Sequence, residues 1–312
     1  MQGYDANLRS AHPEPMKKVA VLGTGKMGGA IARRLHAAGF DISVWDRTKS
    51  KAEALQVGPV VASPAEAARN ADVLITMVTG PQALRDVYFG PSGVFTAGGN
   101  STIVDMSTVG PAAARELADA AELHGPKLVE APVIGSIPAV NSGTLLILAG
   151  AALIEDLDRV RPVLQQLGEV HYVGDVGSAA TLKLVANSFL GIVSAGAAEL
   201  MAAGTAQGLE PEQVFTVLSR VAPGLKVREA GFVRNIHEPA MFAVRDILKD
   251  LDLGLALYQR ASGARSKVPL TAITRELFAP VASRAADLDI SAIVTAYSAD
   301  RLPRQSVEER PS

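Results

Sequence analysis

Short runs rich in Val, Ile and Leu alternate with stretches of helical period through the first half of the chain. Lys18–Leu22, Asp41–Trp45 and the runs 73–78, 101–105 and 127–133 read as strands, with 144–148 and 170–173 as shorter ones. The run 73–78 is apolar almost throughout, as a strand covered on both faces should be. Residues 27–38, stopped by Gly39, and Pro111–His124 carry a helical period between the strands. The alternation predicts an α/β domain with a doubly wound, mainly parallel sheet and right-handed crossovers. After Gly174 the pattern changes, and no strand is expected from Ser178 onward. Ala/Leu-rich helical segments take over at about 178–208, 211–220, 240–262 and 268–285, with a last one near 290–298. Pro211, Pro223, Pro239 and Pro269 fall near their starts or between them. The chain is therefore expected to hold a disordered leader over 1–15, a dinucleotide-binding domain over 16–176, an all-helical domain over 177–300 including the helix that joins the two, and a disordered tail over 301–312.

Composition narrows this picture. At 312 residues the chain suits about two domains. The 30 basic and 32 acidic residues leave a net charge of −2, so no broad basic field is expected to hold nucleic acid or an anionic membrane. The absence of cysteine excludes disulfides, thiol nucleophiles, Fe–S clusters and thiolate zinc, and fits a cytoplasmic location. The first 15 residues lack the apolar core of a secretory signal. The apolar stretch 185–206 is interrupted by Asn187, Ser188, Ser194 and Glu199, which favours a helix buried between protein surfaces over a membrane span. The five histidines show no metal spacing, and no metal is expected. Asp287 and Asp289 read as loop or helix-cap acids.

The strongest local signal is Gly23-Thr24-Gly25-Lys26-Met27-Gly28, which follows the first strand and opens a helix. The first glycine allows the tight turn, the second lets the backbone approach a pyrophosphate, and the third lets the helix pack close to the strand. Glycine turns occur by chance, but here the strand, the helix and a second strand ending in Asp46 agree. Asp46 suits the ribose hydroxyls of NAD, whereas Arg47 and Thr48 suit the 2′-phosphate of NADP. Lys49 and Lys51 add positive charge, so NADP is preferred with NAD possible. Residues 77–80, at the carboxyl end of a parallel strand, should lie along the cofactor crevice, with Val78 and Thr79 as contacts.

Several further segments line up in order. Asp105-Met106-Ser107-Thr108-Val109-Gly110-Pro111 resembles the D-x-S-T-x-x-P segment of the β-hydroxyacid dehydrogenase family. Glu130-Ala131-Pro132-Val133-Ile134-Gly135-Ser136, followed by Ser142-Gly143-Thr144-Leu145, resembles its D-A-P-V-S-G-G … G-T-L segment. The stretch from Gly177 to Asn187, with Lys183 inside it, resembles G-x-x-x-x-x-K-x-x-x-N. Lys249-Asp250-Leu251 resembles K-D-L, and the run from Asp287 to Ala292 a late D-x-D-x-S-A.

The resemblance runs from about residue 17 to 298. It implies a Rossmann domain, a long connecting helix and an all-helical domain, assembled as a homodimer or homotetramer largely through the helical part. It also implies NAD- or NADP-dependent oxidation of small 3-hydroxy acids or reduction of their semialdehydes, and the Glu130–Ser136 stretch is similar to that of glyoxylate/succinic semialdehyde reductases.

Carried over residue by residue, the resemblance makes Lys183 the proton donor and acceptor, with Asn187 four residues on, sharing its helix face and orienting the substrate oxygen. On spacing alone Lys183 reads as a surface lysine, and the motif reverses that. Lys249 is implied at the cofactor and Thr108 near the nicotinamide. Ser107 is implied at the substrate, and Ile134, Gly135 and Ser136 at the substrate anion. Ile134 departs from the family serine and loses its hydroxyl, which suits a less polar substrate. An imine reductase on the same scaffold and a catalytically silent cofactor-binding scaffold are the alternative readings.

Overall fold

The β-branched runs become strands because their side chains are buried on both faces of one sheet. The computed structural model describes residues 16–260 and 267–297, and the expected leader and tail lie outside them. In chain order the first unit comprises β1 (Lys18–Leu22), α1 (Lys26–Ala37), β2 (Asp41–Trp45), α2 (Lys49–Glu53), α3 (Pro64–Asn70), β3 (Val73–Thr76), α4 (Gly80–Phe89), β4 (Thr102–Asp105), α5 (Pro111–His124), β5 (Lys127–Glu130), β6 (Val133–Ile134), α6 (Ile137–Ser142), β7 (Leu145–Ala151), α7 (Ile154–Leu164) and β8 (Gly168–Gly174). The helical unit comprises α8 (Ser178–Ala206), α9 (Pro211–Val221), α10 (Glu229–Arg234), α11 (Val244–Arg260) and α12 (Pro269–Ala285).

The sheet runs β2-β1-β3-β4-β5-β7-β6, with β8 on the far edge of β7. Strands β1 to β5 are parallel; β7 runs antiparallel to β5 and β6 and parallel to β8. The chain winds outward from β1 to β2 and then crosses to β3, so the β1/β3 boundary is the switch point where the carboxyl ends open a crevice. One face of the sheet buries Ile31, Leu35, Ile75 and Val104 in one aliphatic core, and the other buries Leu22, Leu74, Tyr88 and Leu117.

The expected strand over 127–133 is divided. Val129, Glu130, Val133 and Ile134 all pair with β7 in one unbroken register, but Pro132 has no N–H to give the ladder and Ala131 turns its N–H to the Asp105 carbonyl (2.7 Å). The strand expected over 73–78 ends at Thr76, where the chain turns into the loop before α4. The last expected helix is a 3₁₀ segment, Ile290–Ala296, opened by the Asp289 side chain accepting from the Ser291 N–H. Helix α11 begins at Val244 rather than near 240, and the end of the expected 240–262 segment lies partly outside the described residues.

The first turns of α8 bury Ala179, Ala180 and Leu184, and the helix touches β6, β7, β8 and α5. Further along, its Ala195, Ala198 and Met201 join Phe232, Leu251 and Phe278 in a separate helical core. Among the described helices α8 alone is long and apolar enough to cross a membrane, and half of its most apolar window is buried inside the protein. This helix delivers Lys183 to the junction between the two cores.

Candidate active site

The glycine loop is shaped for a phosphate. A Cβ on Gly23 would strike the Met77 carbonyl oxygen, and one on Gly28 would strike the Gly23 carbonyl oxygen, so loop, helix and β3 close onto one another only with glycine at both positions. A Cβ on Gly25 would meet nothing within 4 Å, which leaves open space at the start of α1. Helix α1 begins at Gly25 with no side-chain cap and no acidic residue in its first turn, so its first N–H groups are available to an anion. The cradle fits the pyrophosphate of a dinucleotide.

Asp46, at the end of β2, ties this loop down. Its Oδ2 accepts from the Thr24 N–H (2.8 Å) and hydroxyl (3.1 Å), and its Oδ1 accepts from the Thr48 N–H (2.8 Å). Arg47 and Thr48 lie exposed beside it. Lys49 pairs with Glu53 (3.1 Å), so part of the positive charge expected here is already offset. Lys26 reaches the other way, its ammonium donating to the Ala240 carbonyl in the helical unit (2.7 Å).

A second cluster gathers where β3, β4, α8 and α11 converge. The Lys249 stem passes over Gly80, whose φ of +84° already favours glycine. Its ammonium donates to the Thr108 carbonyl (2.9 Å) and to Asp250 Oδ1 (2.6 Å). The other oxygen of Asp250 accepts from Asn187 Nδ2 (2.6 Å). Asp250 is buried and so holds Asn187 and Lys249 in one hydrogen-bonded chain.

Lys183 stands one turn before Asn187 on α8 and is half-buried. Loss of hydration pushes its amine down to about 8; Asp250 pulls the other way, and Lys249 lowers it further. An amine tuned this way exchanges a proton near neutral pH.

The remaining expected residues fall in less uniform settings. Ser107 is buried, and its hydroxyl accepts from the Val78 N–H (3.0 Å) and faces the Thr76 carbonyl (3.4 Å), so here it braces the end of β3 rather than opening into the cleft. Thr79 is exposed, and Met27 and Val78 are half-buried near the loop. Ile134 pairs with Leu146 at the edge of β6, next to α8. Gly135 is exposed yet backed by Leu145 and Ala139, and Ser136 starts α6.

Sequence reasoning named Lys249 but passed over Asp250, the next residue in the same motif, whose role appears only when α11 meets α8. Asp289 does act as a cap acid, and in addition forms a buried pair with Arg228 (3.0 Å). Among the described residues no group of three or more His, Cys, Asp or Glu could hold a metal ion.

A Rossmann-type crevice, a glycine cradle and a tuned amine at the foot of a long helix define a two-domain nicotinamide-dependent oxidoreductase. Residues 18–177 match the family model described as the NAD binding domain of 6-phosphogluconate dehydrogenase, and residues 177–297 the one described as NAD-binding of NADP-dependent 3-hydroxyisobutyrate dehydrogenase. The chain belongs to the β-hydroxyacid dehydrogenase family. It is 32% identical over 304 residues to 3-hydroxyisobutyrate dehydrogenase of Pseudomonas aeruginosa, covering 90% of this chain and 99% of the relative. It is 31% identical to the chloroplastic glyoxylate/succinic semialdehyde reductase 2 of Arabidopsis thaliana, over 90% and 79% of the two chains. A solved 3-hydroxyisobutyrate dehydrogenase of Mycobacterium tuberculosis with L-serine superposes with a TM-score of 0.76 at 28% identity, covering 89% and 98%. The protein is an NAD(P)-dependent oxidoreductase of hydroxyl and carbonyl groups, and the imine-reductase and silent-scaffold readings are not favoured.

Proposed function

We propose that the enzyme transfers hydride between NADP(H) and a small 3-hydroxy acid or its semialdehyde, with Lys183 as general acid and base. The bound nicotinamide supplies or takes up the hydride. Lys183 passes a proton to the carbonyl oxygen in reduction and takes it back in oxidation. Asn187, held by Asp250, presents its amide beside that oxygen, and the 134–136 turn receives the substrate anion. With Ile134 in place of a hydroxyl-bearing residue, the acid end meets backbone N–H groups and Ser136, and substrates with an apolar carbon chain are favoured. Within this reading 16–176 holds the cofactor and 177–300 completes the substrate side.

The observation that carries the proposal is the amine of Lys183, lowered to about 8 beside the Asn187–Asp250–Lys249 chain. A panel of semialdehydes and glyoxylate, followed by loss of NADPH absorbance, should find turnover. Lys183→Ala should cut kcat by about 10²–10⁴-fold, the usual weight of a general acid, with NADPH Kd nearly unchanged. In wild type, kcat for reduction should fall as pH rises through about 8, because the donating ammonium is lost, while oxidation rises over the same window. Turnover retained by Lys183→Ala would refute the role.

We further propose a homo-oligomer assembled through the helical unit. Leu182, Val185 and Phe189 stand exposed at helical spacing along α8, and Leu270 and Ile273 stand exposed on α12.

A further inference from the structure

We propose that Glu130 is a positioning residue for the proton-transfer amine: from the end of β5 it clamps the first turn of α8 and so sets where Lys183 stands in the cleft. The inference rests on the assignment of proton transfer to Lys183.

Helix α8 starts with Gly177, which has no side chain to cap it, so its first N–H groups need an outside acceptor. Glu130 supplies one from 47 residues away. Its Oε1 accepts from the Gly177 N–H (2.7 Å) and from the Ala179 N–H (2.8 Å). The carboxylate is buried, and its negative charge meets the positive end of the helix dipole. The surroundings are built around it. A Cβ on Gly150 would strike the Glu130 carboxyl group, and a Cβ on Gly177 would come within 2.9 Å of the Arg115 guanidinium. Burial pushes the Glu130 carboxyl above its usual range, and the helix N–H groups and then the Arg115 charge oppose that rise. Its other oxygen, Oε2, is buried without a hydrogen-bond partner, so the hydrogen bonds the group makes go to the helix end.

Lys183 lies one turn beyond Ala179, about 6 Å along the helix axis. The clamp therefore acts on the turn directly beneath the amine. The first turn also carries Ala179 and Ala180 into the seam with the sheet. Loss of the clamp leaves two buried N–H groups without an acceptor, and the first turn then relaxes toward water. The lowered proton affinity of Lys183 depends first on its partial loss of hydration, so a small shift of this turn should move it.

The test compares Glu130→Leu, Glu130→Gln and Glu130→Asp with Lys183→Ala and wild type, all in full-length enzyme. NADPH Kd, kcat, KM and the pH profile of kcat are measured at a temperature where each variant is folded. Glu130→Gln keeps a carbonyl oxygen for both N–H groups and should retain kcat within about threefold. Glu130→Leu should lose at least tenfold in kcat with NADPH Kd within twofold, and its pH profile should move above 8 as the amine regains water. If Glu130→Leu does not fold, Glu130→Asp, one methylene short of the helix, should show the same loss in lesser degree and the same upward shift. A drop in melting temperature with kcat and its pH profile unchanged in both Leu and Asp variants overturns the clamp. If Lys183→Ala keeps full turnover, the underlying assignment fails instead, whatever the Glu130 variants do.

Discussion

At the scale of single residues, the site turns on how differently two basic groups are treated. Lys183 is half-buried and its amine is lowered to about 8, whereas the Lys249 ammonium is held by hydrogen bonds to Asp250 and the Thr108 carbonyl. For Lys183 the loss of hydration outweighs the pull of Asp250, which is why the net shift is downward. Arg47 is the opposite case, an exposed guanidinium beside the end of β2. A charge-assisted contact there contributes about 1.5–3 kcal/mol. Arg47→Ala should lower the ratio of kcat/KM for NADPH over NADH by roughly 10- to 100-fold. An unchanged ratio would remove Arg47 from cofactor selection. That Lys183 and Asn187 share one helix face was legible from their four-residue spacing. The role of Asp250 was not, since it depends on a second helix arriving within hydrogen-bond distance.

Among elements, an uninterrupted pattern rather than length decided what was readable. β1, β2 and α5 match their expected ranges, because an uninterrupted run or a full amphipathic period leaves one choice. Helices α2, α3 and α6, each of seven residues or fewer, show too little period to be told from loops, and they form where tertiary packing supports them, α2 and α3 against the strands and α6 against α1. The longer α4 and α7 also went unassigned: α4 opens at Gly80-Pro81, a turn signal, and α7 carries Pro162 in its interior. The division of β5 from β6 follows from one proline, while the shared register shows that the ladder with β7 still decides the pairing. The glycine loop is the element where sequence and packing coincide most closely. Gly28→Ala would press a methyl group into the Gly23 carbonyl, at a cost of about 1–3 kcal/mol. The loop should open, NADPH Kd should rise more than tenfold by calorimetry, and the melting temperature should fall. Wild-type affinity in that variant would mean that close approach of α1 is not what shapes the cradle.

For the whole molecule, the two units are joined by more than the covalent chain. α8 is buried in the seam with the sheet at its start and in the helical core further on. Lys26 reaches from the glycine loop to Ala240, and Lys249 from α11 to Thr108, so contacts bridge the cofactor crevice at two points. The chain just before α11 is itself pinned by Asp289, which accepts from the Met241 and Phe242 N–H groups (3.1 Å each) while paired with Arg228. Among the described residues, Leu182, Val185 and Phe189 form an exposed apolar face on α8. Sedimentation at micromolar concentration should give at least twice the monomer mass, and Phe189→Glu should shift the population toward monomer. A wild-type monomer under those conditions would rule out assembly through this face.

The order of strands and helices, the glycine cradle and the run of family motifs are written into local patterns, because turn chemistry and hydrophobic period act over a few neighbouring residues. The pKa of Lys183, the Asn187–Asp250–Lys249 chain and the Glu130 clamp on α8 were decided by the fold. Each depends on dehydration or on hydrogen bonds between groups tens of residues apart, and those distances exist only once the sheet and the helical unit have packed together.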